Sequence, residues 1–164
     1  MDRTARSQDD TPVVPPRLWT IAEANARVAE LAELLPRLAG WVARLGEVHR
    51  ELHRLGEFWG AEVDSEDHVD HEIKARLDAE WRNLSLRLEE AMASLRAEGI
   101  EVKSLENGLI DFYGLVDGEV VFLCWQRGEL EIGFYHTLTG GFAHRRPLPA
   151  PRARASSGRA RGSA

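Results

Sequence analysis

Only one cysteine, Cys124, occurs in 164 residues, so the chain holds no internal disulfide and calls for no oxidising compartment. No apolar run approaches the roughly 18 residues that a membrane-spanning helix needs. The opening residues, MDRTARSQDDTPVVPP, lack the apolar core of a signal peptide. These absences lead to the expectation of a cytoplasmic bacterial protein. The signatures of common enzymes are missing too: there is no HExxH, no phosphate-cradling glycine loop and no Ser, His and Asp in a hydrolase order. Positive charge is scarce where it would matter most. The net charge of −6 divides into −1 over residues 1–16, −9 over 17–146 and +4 over 147–164. An acidic body offers phosphates no basic face, which argues against nucleic-acid binding through the folded part.

What is present fits one soluble domain: 43% hydrophobic and 29% charged residues over a length that makes one core. Residues 1–17 are polar and read as a disordered lead-in. The domain is expected over 18–148, with a helical hairpin at 18–98 and a β-meander at 99–148, and 149–164 as a disordered basic tail. Thr20-Ile-Ala-Glu23 has the form of a capping box. From it runs a seam spaced alternately by three and four: Ile21, Ala24, Val28, Leu31, Leu35, Leu38, Val42, Leu45, His49, Leu52, Gly56 and Trp59. That is a heptad, the pattern of one helix lying along another. Pro36 lies inside it and should kink the helix without splitting it, because the heptad phase continues past it. The acidic stretch Gly60 to Asp70 serves as the loop, with Asp67 or Asp70 as a cap. A second helix then runs to about Glu98 with Ile73, Leu77, Trp81, Leu84, Leu88, Ala91 and Leu95 inward, and Gly99 closes it in a left-handed conformation.

After Gly99 the period drops to two. Glu119 to Trp125 is apolar on both faces and reads as the central strand, with Asp117-Gly118 a type I′ turn before it. Residues 109–116 and 129–138 are the expected partners, and Ile100 to Ser104 a further edge. The fold class is therefore α+β: a long N-terminal antiparallel helical hairpin followed by a small three- to four-stranded antiparallel meander, one face of which packs on the base of the hairpin.

Candidate chemistry is sparse. His49 occupies a seam position and His53 lies one turn on, with Glu80 or Trp81 expected across the hairpin. His49, His53 and Glu80 make a weak metal candidate, or an ordinary polar seam that fixes register. His68 and His71 sit in the acidic loop, whose spacing is not that of an EF-hand. Cys124, mid-strand among apolar neighbours, reads as a buried structural thiol. In Glu129 to His136, period two puts Leu130, Ile132, Phe134 and His136 on one face. Asp111 interrupts the first strand, and Arg145 and Arg146 follow a Gly140-Gly141 turn. Asp, His and Arg converging there would bind an anion or small ligand, or would form a buried Asp–Arg pair that closes the C-terminal segment onto the sheet.

The ordered string Gly99-Ile-Glu-Val-Lys103, Gly108-Leu-Ile-Asp-Phe112, Leu123-Cys-Trp125, Gly128-Glu129, Tyr135-His136 and Gly141-Phe-Ala-His-Arg145, with Thr20-Ile-Ala-Glu-Ala-Asn25 before it, resembles a bacterial family catalogued as domain of unknown function 2203. The resemblance covers about residues 18–148. It implies no particular activity, substrate or cofactor, but it singles out Lys103, Asp111, Trp125, Glu129, His136 and Arg145 as ligand-binding candidates. Three positions depart from the family's pattern: Ser104 stands where Asp follows the Lys, Tyr135 where a Trp precedes the His, and His144 where a Gly precedes the Arg.

Two functions are carried forward. One is a non-enzymatic interaction module that uses the hairpin to bind a partner or a second copy, giving a homodimer. The other is a small-molecule or metal-binding protein, with or without catalysis, whose site lies around Asp111, His136 and Arg145.

Overall fold

A computed structural model describes residues 14–149; the expected lead-in lies mostly, and the basic tail almost wholly, outside them. Helix α1 runs Ile21–Trp59 and helix α2 His71–Ala97, joined through a short 3-10 turn at Gly60–Asp64. Strands β1 Ile100–Ser104, β2 Leu109–Val116, β3 Glu119–Gln126, β4 Phe134–Thr137 and the two-residue β5 Arg146–Pro147 follow. They form one antiparallel sheet in sequence order. The α+β class and the meander hold, with one short edge strand more than expected. No helix among the described residues is long and apolar enough to cross a membrane.

Local chemistry explains the boundaries. The Thr20 hydroxyl accepts from the Glu23 amide and the Glu23 carboxylate accepts from the Thr20 amide, a complete capping box. Helix α1 passes through Pro36 unbroken. Asp70 stands at the N-cap of α2, but its side chain makes no capping bond. Asp117 and Gly118 both take positive φ, 52° and 87°, as a type I′ turn requires. That turn sets the β2–β3 register.

The inner face of the sheet, with Ile100, Ile110, Phe112, Val121, Leu123 and Trp125, packs on Ala24, Val28, Leu31, Leu35 and Leu38 of α1 and Leu95 of α2. Trp19 seals the corner: its amide donates to Tyr113 O at 2.7 Å and its indole to Glu98 O at 2.7 Å.

Three expectations need correcting. The heptad seam is fully buried only from Ala24 to Leu38, with Ile21 exposed before that stretch and Leu45, Leu52 and Trp59 half-buried after it. Beyond it Val42, His49 and Gly56 are exposed, and Val48 is buried instead. A straight helix of 3.6 residues per turn drifts from a 3.5 repeat by roughly 20° per heptad, so a strict heptad walks off the contact face. The inward face of α2 is also less covered than its pattern implied, since Ile73 and Trp81 are exposed and only Leu77 and Leu95 are fully buried. Finally, β4 begins at Phe134 rather than at 129, and Leu130 is fully exposed instead of joining an apolar row. The backbone of 129–133 is committed elsewhere. Glu129 N donates to Gln126 O, Glu129 O accepts the Trp125 indole, and Ile132 N donates to Asn25 Oδ1 of α1 at 2.7 Å. Those groups are unavailable for a ladder.

A candidate site on the outer face of the sheet

The face of the sheet turned away from the helices carries the polar residues. Because residues alternate sides along a strand, Glu101 and Lys103 of β1, Asp111 and Tyr113 of β2, Phe122 and Cys124 of β3, and Phe134 and His136 of β4 share it. Asp111 pairs directly with Cys124, and Phe122 with His136. From β4, His136 reaches diagonally across β3 to Asp111: Nε2 lies 3.1 Å from Oδ2, and both side chains are almost fully enclosed. The reactive atoms of Asp111, Cys124 and His136 all lie within 4.8 Å of one another.

The hydrogen bonds restrict where protons sit. His136 Nδ1 is 2.8 Å from the backbone oxygen of Thr137, which can only accept, so Nδ1 carries a hydrogen. One further proton is then shared between Nε2 and Asp111 Oδ2. The second carboxylate oxygen, Asp111 Oδ1, is buried without a hydrogen-bond donor in bonding geometry. Burial pushes the Asp111 carboxyl above its ordinary range, against the opposing pull of His136, the Cys124 thiol and Lys103. The Cys124 thiol is pushed up to about 12, first by burial and then by the Asp111 charge, with Arg145 pulling the other way.

Lys103 stands at the rim. Its ammonium pairs with Glu101, lies 4.0 Å from Asp111 Oδ2 and sits 4.5 Å from the centre of the Phe122 ring. The Tyr113 hydroxyl donates to Glu101 at 2.6 Å. Burial works to raise the Glu101 carboxyl, but its bonds to Lys103 and Tyr113 outweigh this and hold it below the usual range. Burial, followed by the neighbouring Glu101 carboxylate, raises the Tyr113 phenol to about 12. An ultraviolet pH titration should therefore show a tyrosine ionising near 12 that vanishes in Tyr113→Phe and moves down in Glu101→Gln. A Tyr113 that titrates near 10 in the wild type would contradict the bond to Glu101.

Above the Asp111–His136 pair lies a cleft of about 320 Å³, walled by Leu109, Phe122, Leu138, Thr139 and Phe142 with Lys103 at its edge. Of the six residues singled out from the sequence, Lys103, Asp111 and His136 meet in this cleft. Trp125, Glu129 and Arg145 instead form an adjoining brace. Trp125 lies on the inner face and bonds the Glu129 carbonyl, while the Glu129 carboxylate accepts from Gln126 N and from Arg145 at 2.9 Å. The Arg145 guanidinium lies between the rings of Phe134, at 4.7 Å, and Phe142, at 3.9 Å. The expected alternative of a buried Asp111–Arg145 pair is not formed: Asp111 takes His136, and Arg145 takes Glu129.

Cys124 is buried as expected, but beside a carboxylate rather than among apolar neighbours alone. A two-residue turn at Asp117-Gly118 places residue 124 opposite residue 111, so that signal was available in the sequence. Phe142 and Leu138 could not be found that way, because the loop that carries them has no periodicity.

The hairpin candidates do not assemble. Glu80 is held by the Arg44 guanidinium at 2.7 and 2.9 Å, and His53 pairs with Glu57. His49 and His53 line an exposed cleft together with Arg50 and Arg54, cations that disfavour a metal ion. At the tip, His68 stacks edge-on against Trp59 and accepts from Asp70 N. Among the described residues, Asp111, Cys124 and His136 are the only close group of three metal-ligating types.

Residues 17–148 match the model of a family described as an uncharacterized conserved protein, DUF2203, and the chain belongs to it. No curated protein and no solved structure matches the chain.

Proposed function

We propose that this member of the DUF2203 family is a ligand-binding protein whose site is the outer face of its sheet, in the cleft floored by Asp111 and His136. One observation carries the reading: Asp111 Oδ1 is buried with no donor in bonding geometry, and the group closest to hand is the weakly donating Cys124 thiol. A buried acceptor left unpaired costs about 1–3 kcal/mol. A fold that retains it beneath an accessible cleft is built for an incoming hydrogen-bond donor or cation. The cleft walls are apolar and aromatic around a few convergent polar groups, the usual make-up of a small-ligand site. In keeping with its composition, the protein is taken to act in a bacterial cytoplasm.

Native mass spectrometry of the untagged protein, purified without chelator, tests this reading together with a thermal-shift panel of metal ions and small polar compounds. The expected result is a bound species or a stabilising compound whose effect disappears in Asp111→Asn. Neither adduct nor stabilisation in the wild type would overturn it.

A second reading, the hairpin as a self-associating coiled coil, rests on a separate observation. Beyond the base of the hairpin only Val48, Val63 and Leu77 are fully buried, while Val42, Phe58, Ile73, Trp81 and Leu86 are exposed. Leu55, Phe58, Trp59, Ile73 and Leu77 line a groove of about 370 Å³ near the tip. Two helices alone make a ribbon, whereas two copies of the ribbon make a four-helix bundle with an enclosed seam. Light scattering should then give twice the chain mass, falling to one chain mass in Phe58→Glu. A monomer at every concentration would end this reading.

A further inference from the structure

We propose that Asp111, Cys124 and His136 form a three-ligand site for a zinc-class divalent ion, with the fourth coordination position open to the cleft. The inference rests on the ligand-binding reading above and names its ligand.

The donor set comes first. A carboxylate oxygen, a thiolate sulfur and an imidazole nitrogen are the three ligand types that zinc prefers. They come from three consecutive strands of a rigid sheet rather than from loops. Bonds of about 2.0–2.3 Å to a tetrahedral zinc place ligand atoms roughly 3.2–3.8 Å apart. Here all three lie within 4.8 Å of one another, with Nε2 and Oδ2 already at 3.1 Å. Side-chain adjustments below an ångström or two close the set.

The surroundings match as well. His136 Nδ1 donates to the Thr137 carbonyl, which leaves Nε2 as the metal-facing nitrogen; a ligating histidine is ordinarily oriented in this way. Asp111 Oδ1 has no donor in bonding geometry, and the thiol beside it is itself one of the three ligands. Charge also closes. A divalent ion with one carboxylate and one thiolate is neutral; Lys103, 4.0 Å from Asp111 Oδ2, and Arg145, beside Cys124, are each balanced by a carboxylate of their own, Glu101 and Glu129. Binding displaces two protons, the one shared by Asp111 and His136 and the one on Cys124, and both leave to solvent. Asp111 and His136 line the cleft and the buried Cys124 does not, which leaves the fourth position to the cleft side, where Phe122, Leu138 and Phe142 stand. Three protein ligands and one position for water or a ligand oxygen is the arrangement of metal sites that act on a bound molecule.

The test uses the full chain, stripped with a chelator and dialysed, then titrated with cobalt(II) as the probe and with zinc(II) in competition. The expected result is one equivalent of cobalt with tetrahedral visible bands and a sulfur-to-cobalt charge-transfer band in the near ultraviolet, displaced by zinc, together with a raised unfolding midpoint. Cys124→Ala should lose the charge-transfer band and bind at least tenfold more weakly. Cobalt bound without that band overturns the assignment of Cys124. No cobalt or zinc binding to the folded wild type overturns the metal site altogether. In that case a small polar compound that stabilises the wild type but not Asp111→Asn leaves the ligand-binding reading standing, and no such compound removes both.

Discussion

His136→Ala alone should lower the stability of the metal-free protein by about 3–5 kcal/mol, whereas Asp111→Val combined with His136→Leu should recover most or all of that loss. Both side chains are almost fully buried, and each is the other's main partner. Removing the imidazole leaves a carboxylate enclosed with neither oxygen well satisfied, and the full cost of its desolvation appears. Replacing both removes the need for a partner and adds apolar volume to a face already lined by Phe122 and Leu109. Urea denaturation of the three proteins measures the difference. A double variant as unstable as the single one would mean that the pair is retained to hold the sheet together. A double variant that folds as well as wild type would mean that the fold does not need the pair, and that its presence answers to a ligand.

The second large effect falls at the joint between hairpin and sheet. Gly99 has φ +74°, and a Cβ there would stand 2.7 Å from the backbone oxygen of Arg17. Gly99→Ala should therefore cost about 2–4 kcal/mol, part from the left-handed backbone and part from the collision. The colliding atom cannot easily retreat. Two residues on, Trp19 is fixed through its amide to Tyr113 O and through its indole to Glu98 O, so the segment is pinned at both ends of the joint. Gly118→Ala is the control. Its φ is +87° with open space around it, and only the backbone cost of about 1–2 kcal/mol should appear. Equal losses for the two variants in chemical denaturation would show that the Arg17 approach is not the constraint.

Much of this architecture is legible from local chemistry. The capping box at Thr20 and Glu23, the left-handed Gly99 and the Asp117-Gly118 turn each fix a boundary through atoms a few residues apart, and the structure places all three as read. The seam of α1 was legible for as long as its repeat and the helical pitch stayed in phase. By His49 they had parted, which is why that residue faces solvent and not Glu80. Strand β4 is shorter than its alternation suggests for another reason. Its alternation is real in the sequence, but Asn25, more than a hundred residues away, takes the Ile132 amide, and no local pattern announces that. The candidate site was half legible. The strand pattern points to Asp111 and His136, the motif string agrees, and hairpin register brings in Cys124. Arg145 is held apart from Asp111 by its bond to Glu129 and by an aromatic clamp of Phe134, at the start of β4, and Phe142, in a short turn without periodicity.

The placement of the site on strands has a consequence for how this chain can vary. Only residues up to Trp41 in α1 and from Leu88 in α2 join the core beneath the sheet, and the helices touch the Glu129–Gly133 segment through Asn25. Everything between Val42 and Arg87 is a lever whose length is set by residue count, roughly 1.5 Å for each residue in each helix. Taking seven residues from each helix in register would draw the tip in by roughly 10 Å without moving any atom of the Asp111 cleft. Reach and chemistry are thus separate properties of this molecule, and each can be tuned while the other is held constant.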